Sequence, residues 1–331
     1  MKKAFLSITA AVVLGLTSLS AQAEPITVKF SHVVAENTPK GLMANKFRDL
    51  VAADPALKDK VVVEVFPNSQ LFDDDKVMDA MLLGDVQMAA PSLSKFQKYN
   101  PQLLIYDLPF LFNNMAAVDK FQKSEDGQKL LTSMEDKGYI GLGYLHNGMK
   151  QLSANKPLKT PEDAKGLKFR IQTSDVLAAQ FEAVGGVPIK KPFSEVFTLM
   201  QTKAIDGSEN PWSNIYSKKF HEVQSDITES DHGVLDYMVI TSSDFWKGLD
   251  EDVRTALKKD MDDAVAYGNE MSTKKDAEDK QAIIDSKRST VYTLTPEERQ
   301  KWVDTMKPVW DKFKDTIGAD LIDKALKSNE G

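Results

Sequence analysis

The chain has 331 residues, a formal charge of −7 and no cysteine. That length provides for two domains, the acidic balance argues against a nucleic-acid partner, and the missing cysteines exclude a disulfide framework and thiol chemistry. A chain with 42 % hydrophobic residues buries enough apolar surface to fold without covalent staples.

The first segment, MKKAFLSITAAVVLGLTSLSAQA (1–23), reads as a secretory signal peptide. Lys2 and Lys3 give a basic start, residues 4–16 are mostly apolar, and Ala21-Gln22-Ala23 is a small-x-small cleavage site before Glu24. The apolar run is too short and too interrupted by Ser and Thr for a membrane anchor. The rest is expected to be an exported, soluble protein. Its charge is −7 − 2 = −9, since residues 1–23 carry two lysines and no acid. A global field of that sign repels anions, so an anion site has to rely on local cations.

Along the rest of the chain β-rich runs alternate with helical patterns. ITVKF (26–30), VVVEV (61–65) and VQMAA (86–90) read as strands, with helical spacing over 38–53 and 73–83 between them. This β-α-β-α-β series predicts a mostly parallel sheet. A second series follows: YIGLGYL (139–145), KQLSA (150–154), LKFRI (167–171), a helix near 174–184, VPI (187–189), a helix near 193–202, and AIDGSEN (204–210) with a short strand at AID. Thr160-Pro161-Glu162-Asp163 and Thr295-Pro296-Glu297-Glu298 have the cap residue, proline and acids of a helix start. From about Asp250 to Ser286 there is no proline and one glycine, Gly268, and Val253, Leu257, Met261, Ala264, Val265 and Met271 recur with helical period. The middle of this stretch, STKKDAEDK (272–280), is polar on every face, as in a helix that bridges domains. We expect one helix of roughly 50 Å, longer than a small domain is wide. The fold class is thus α/β in two lobes. Lobe I comprises 24–147 plus 236–275, lobe II comprises 148–235 plus 276–331, and a bridging helix spans about 250–286.

Signatures of enzymes are missing. There is no G-x-S-x-G, H-E-x-x-H or P-loop. GLGYLHNG (141–148) resembles a dinucleotide loop, but His146 stands where the third glycine belongs and a strand pattern follows. The four histidines are scattered without metal-ligand spacing. FDDDK (72–76) lacks the remaining ligands of a calcium loop and reads as an acidic helix start. We expect no cofactor and no metal. What remains is a polar constellation without a nucleophile. Arg170 ends the strand in GLKFRIQ, Asn210 lies in SENPWSN (208–214) just after the short strand AID, and Lys150 begins another strand in NGMKQLSAN. Ligands of open α/β sheets bind beyond the carboxyl ends of strands, where Arg170 and Asn210 fall. Taken alone, these residues read by default as a solvated arginine, a solvated lysine and a turn asparagine before Pro211.

Nearly the whole chain after residue 23 resembles a solute-binding protein of the TRAP transporter family, the C4-dicarboxylate branch. The stretches that carry the likeness are VKFSHVVAENTPKG (28–41), VFPNSQLFDDDKVMDAMLLGDVQMAAPSLSKF (65–96), LPFLF (108–112), GLKFRIQ (166–172) and EVFTLMQTKAIDGSENPW (195–212). The resemblance implies two α/β lobes in a periplasmic-binding-protein-like fold, a ligand cleft between them and one very long helix across both. It implies that Arg170 pairs with a ligand carboxylate, that Asn210 helps hold it, and that Lys150 is a second cation. His32, Lys40, Ser92, Lys95, Trp212 and Tyr237 are further candidates, with the SHV turn and the APSLSKF loop facing the cleft from the first lobe. Phe197 and Lys203 depart from the family, which often has tyrosine and glycine there; the departure puts a tyrosine hydroxyl contact in doubt.

These residue types suit an organic dianion. A guanidinium fork matches a carboxylate with two parallel hydrogen bonds. Each charged bond contributes roughly 1.5–3 kcal/mol, whereas micromolar affinity needs about 8 kcal/mol. Several donors must therefore converge in a closed site. Trp212 and Phe193 are candidates to wall the carbon chain. The expected function is capture of a C4-dicarboxylate (succinate, fumarate or malate) and its delivery to the membrane subunits of a TRAP transporter. The alternatives are a receptor for another organic acid, an exported enzyme acting on one, and a ligand-sensing partner of a sensor kinase.

Overall fold

The computed structural model describes residues 24–330; the expected signal peptide lies outside the described residues. The strands of the first half are β1 (Ile26–Ser31), β2 (Val61–Phe66), β3 (Met88–Ala89), β4 (Tyr139–Met149) and β5 (Gln151–Ala154). Those of the second half are β6 (Lys168–Ile171), β7 (Val187–Lys190), β8 (Gly207–Asn210), β9 (Asp226–Glu229), β10 (Val234–Ser242) and β11 (Thr290–Thr293). They form two sheets, β2-β1-β3-β10-β4 in lobe I and β11-β9-β5-β8-β6-β7 in lobe II.

The expected β-α-β-α-β unit is present, with β1 parallel to both β2 and β3. Neither sheet is wholly parallel. β10 runs antiparallel to β3 and β4, and β5 runs antiparallel to β8 and β9. The reversed strands are the two that enter a lobe directly from the other one: β4 continues into β5, and β9 into β10. A strand that carries straight on across the boundary meets the second sheet from its opposite end, so it runs against its new neighbours. Hydropathy periods carry no information on strand direction. β8 also lies three residues beyond the expected AID strand. Ile205 is taken into a core cluster beside Met200 and Ile215, and the polar segment Gly207–Asn210 forms the strand, buried throughout.

The bridging helix is continuous from Glu251 to Ser286, 36 residues in all, or about 54 Å. Its first half sends Val253, Leu257, Met261 and Ala264 into the core of lobe I, beside Phe47 and Val239. Its last turns send Ile283 into the core of lobe II, beside Trp212 and Phe220. Gly268 lies where the helix presses on lobe I. A Cβ there would stand 2.7 Å from Leu145 Cδ1 and 2.8 Å from Met43 Cβ, so close approach, and not a helix break, accounts for the glycine. The C-terminal residues do not stay with lobe II as one block. Trp302 and Met306 pack in its core beside Phe169. Val309, Trp310, Ile317, Ile322 and Ala325 are buried with Leu103 and Phe112 of lobe I and with Val176 and Ala179 of lobe II.

The capping boxes at Thr160/Asp163 and Thr295/Glu298 both form. The first opens only a short 3₁₀ turn, Pro161–Ala164, which ends before the next strand. The packing at Gly268 generates a prediction. Gly268→Leu should lower unfolding free energy by about 1–3 kcal/mol through overpacking, despite leucine's better helix propensity. Urea denaturation checks it, and a variant as stable as the parent would contradict the close contact.

Candidate functional site

The lobes touch across their cleft. From lobe II, Ser194 Oγ donates to Asp73 Oδ2 (3.2 Å), Thr173 Oγ1 to Asp75 Oδ1 (2.8 Å) and Lys218 Nζ to Asn68 Oδ1 (2.8 Å). Between them lies a cavity of about 330 Å³, its mouth included, lined by Val33, Val34, Asp74, Lys95, Arg170, Gln172, Phe193, Asn210, Asn214, Leu235 and Tyr237.

Arg170 reaches the cavity from β6 and is 3 % exposed. Its Nε donates to the Lys191 carbonyl (2.9 Å), and its guanidinium lies 5.7 Å from the centre of the Phe193 ring. The terminal NH₂ groups have no protein acceptor among the described residues. Burial pulls the guanidinium down to about 10, with Glu209, Asp75 and Asp74 opposing, so it remains charged at neutral pH. Register places Asn210 on the same side. Arg170 pairs with Ser208 across the parallel β6–β8 ladder, and Asn210 is two residues on. Asn210 is buried, and its Nδ2 has no partner while its Oδ1 accepts from Asn214 Nδ2 (3.3 Å). A buried donor left unpaired costs about 1–3 kcal/mol, a penalty that an acceptor placed in the cavity would remove.

Lys150 lies elsewhere. Gln151 is opposite Asn210 and Leu152 opposite Glu209 in the β5–β8 ladder. Lys150, two residues before Leu152, is therefore on the Glu209 side of the sheet, away from Asn210 and Arg170. Its Nζ pairs with Glu209 Oε1 at 2.8 Å, both side chains being almost wholly buried. Glu209 Oε2 accepts from Gln180 Nε2 (2.9 Å) and bonds His232 Nε2 (2.8 Å). Burial pushes the Glu209 carboxyl up, but the Lys150 charge and the bonds from His232 and Lys150 outweigh it and hold the group at about 2. The three groups form a closed ionic network under the Arg170 strand, at the point where the chain passes between lobes.

Of the remaining candidates, Lys95 and Tyr237 line the cavity. Lys95 Nζ pairs with Asp75 Oδ1 at 2.6 Å and also reaches Thr173 Oγ1 (3.4 Å). The Tyr237 hydroxyl accepts from Asn147 Nδ2 (2.9 Å), and burial raises it well above the ordinary phenol range. Lys40 stands behind Tyr237, its Nζ 3.5 Å from the ring centre and donating to the Ala90 carbonyl (2.7 Å). Burial lowers this ammonium to about 8, with Asp74 opposing. His32 is buried with neither ring nitrogen bonded; burial, then the Lys40 and Lys218 charges, lower it to about 3, so the ring is neutral at physiological pH. Its neighbours Val33 and Val34, not His32, line the cavity. Ser92 is buried behind it, its Oγ donating to Ser94 Oγ (3.3 Å). Trp212 is in the lobe II core and borders a separate cleft of about 930 Å³, beside Glu229, Asp231 and Asp276. That cleft is larger but acidic, with its Lys280 already paired to Glu229, so its field repels anions. Phe193 does wall the cavity.

Gln172, Asn214 and Asp74 were not singled out in the sequence. Gln172 follows Arg170 by two residues, a spacing that keeps one face of a strand, and Asn214, on the helix Trp212–Ser217 that follows β8, reaches back to Asn210 through its Nδ2. Asp74 had the reading of an acidic helix start. In the fold the helix begins at Val77, and Lys76 is its unbonded cap. The acids lie ahead of it in the cleft. Lys203 has φ of 59°, the left-handed region, which explains a preference for glycine there. Phe197 packs at the edge of the lobe II core.

Two α/β lobes shut on a cavity that holds a buried guanidinium define the class of two-lobed solute-binding proteins. The family model for bacterial extracellular solute-binding proteins, family 7, matches residues 30–316, and the chain belongs to this family. It is 64 % identical over 313 residues to a C4-dicarboxylate-binding periplasmic protein DctP of Shewanella loihica, covering 95 % of this chain and 93 % of that one. It is similar to a TRAP periplasmic solute-binding protein of Shewanella oneidensis with bound succinate (TM-score 0.91, 62 % identity, 92 % of this chain and 100 % of that one). A Pseudomonas aeruginosa TRAP solute-binding protein with bound L-malate matches at a TM-score of 0.84 and 43 % identity, over 87 % of this chain and 100 % of that one.

The Glu209 network gives a pH prediction. A carboxyl held at about 2 when folded, against an ordinary 4.5, contributes stability that is complete above 4.5 and is lost as pH falls from there toward 2. The stability lost by the parent over that window should exceed that lost by Glu209→Gln, as read by urea denaturation at each pH. Equal losses would show that the Glu209 charge is not held by the network.

Proposed function

We propose that this protein is a periplasmic receptor that captures a C4-dicarboxylate, such as succinate, fumarate or malate, and delivers it to the membrane subunits of a TRAP transporter. The observation that carries the reading is the buried Arg170, whose terminal NH₂ groups lack protein acceptors beside the unpaired Asn210 Nδ2. One carboxylate accepting from both meets each unmet valence. The relatives named above, with succinate or L-malate bound, support the choice of ligand class.

A dianion needs positive charge at its second end. Lys95 fits that role better than Lys150, since it lines the cavity from lobe I while Arg170 lines it from lobe II. A ligand that bonds both cations ties the lobes together. Closing also expels water, which strengthens each charged contact. Val33, Val34, Leu235 and Phe193 offer apolar surface to the carbon chain. No helix among the described residues is long and apolar enough to cross a membrane, in keeping with a receptor that meets its transporter from outside the bilayer.

Arg170→Lys should weaken succinate binding at least tenfold, because an ammonium cannot form the two-pronged bond and a charged hydrogen bond contributes roughly 1.5–3 kcal/mol. Isothermal calorimetry reads this directly. Parent-like affinity in that variant would refute the clamp.

A further inference from the structure

Asp74 poses a problem for a site built to hold an anion. It lines the cavity together with Arg170, Lys95 and Asn210. Of its neighbours, Asp73 Oδ2 accepts from Ser194 and Asp75 Oδ1 from Thr173, both across the cleft, and Asp75 Oδ1 also pairs with Lys95 of its own lobe. Asp74 has no hydrogen-bond partner among the described residues. Its carboxyl is left to face whatever enters.

The charged groups around it divide by sign. Lys40 behind Tyr237, Lys95 on the 3₁₀ turn Leu93–Phe96 and Arg170 on β6 favour its ionised form, while Asp73 and Asp75 on its own segment disfavour it. Burial is the largest influence and, with those two acids, raises the carboxyl above its usual range despite the lysines. His32 is neutral and Tyr237 un-ionised, so neither adds charge. An entering dicarboxylate brings two more negative charges into the same enclosed space. Two carboxylates sharing such a site do not both stay ionised.

We propose that Asp74 holds a proton in the liganded state and donates it as a hydrogen bond to a ligand carboxylate, so that the dianion is bound together with one proton drawn from solvent. The proposal rests on the dicarboxylate reading of this cavity. Asp74 then acts as a selectivity element. It offers a donor that only a ligand with a second acceptor group can use, and it keeps the occupied cavity from accumulating negative charge.

Calorimetry of succinate binding in buffers of differing ionisation enthalpy, across about pH 5 to 8, counts the protons taken up. The parent should rise to about one proton more than Asp74→Asn, which is neutral, isosteric and retains a donor. Asp74→Leu, neutral but without a donor, should bind succinate at least tenfold more weakly than Asp74→Asn. Equal proton uptake in the parent and Asp74→Asn would assign the proton to Lys40 or His32 and overturn the proposal. So would parent binding with no uptake, or equal affinity in the Asn and Leu variants. In each of those cases succinate still binds and the dicarboxylate reading stands. Failure of the parent to bind succinate at all overturns that reading and this one together.

Discussion

A guanidinium taken out of water is expensive unless its hydrogen bonds are met, and Arg170 is buried with a single protein acceptor. The surrounding structure makes that arrangement tolerable. Phe193 lies against the guanidinium, the Glu209 charge lies near enough to favour the cation, and Asp73, Asp74 and Asp75 reinforce it from the other lobe. Glu209 in turn is fixed by Lys150, His232 and Gln180. The lysine that resembles a second ligand cation thus supports the site from beneath. An ionic network behind the strand keeps Arg170 charged and in place, and leaves its free edge for a ligand.

The same constraint explains the division into lobes. A net acidic chain cannot draw an organic anion by its overall field, so affinity has to come from a small enclosed volume with converging donors. Enclosure requires walls that part to admit the ligand. Strands that pass from one sheet into the other at Lys150 and at residues 230–233 supply a short double crossing. The long helix adds a third connection, packed into both cores. The hydrogen bonds that Ser194, Thr173 and Lys218 make across the cleft mouth come from small or flexible side chains. Such contacts can break and reform without disturbing either core.

Much of this was legible in the sequence where a period was strong. The β1–β3 unit and the bridging helix declare themselves through alternation and helical spacing, whereas Arg170 and Asn210 stand out through the family resemblance, their places at strand ends being by default those of a solvated arginine and a turn asparagine. Other features left no such trace. β8 is buried yet polar, so hydropathy pointed to Ala204-Ile205-Asp206 ahead of it. Strand reversal in β5 and β10 follows from the crossing between lobes, a property of topology. Lys150 is separated from Arg170 by a single step of strand parity, which becomes visible only once the β5–β8 register is known. Asp74 looks like its neighbours in FDDDK, and its place in the cavity depends on a cleft formed by segments nearly a hundred residues apart in sequence, such as Asp75 and Thr173. The Phe197 and Lys203 positions show the reverse: a departure from the family pattern that the fold accommodates at a core edge and in a left-handed turn.

The central claim is that the unmet edge of Arg170 is completed by a carboxylate. A crystal structure of the protein with succinate tests it most directly. The account predicts one carboxylate accepting from both terminal nitrogens of Arg170 and from Asn210 Nδ2, with the lobes shut around it. A succinate found outside this cavity, with Arg170 still bonded only to the Lys191 carbonyl, would contradict it.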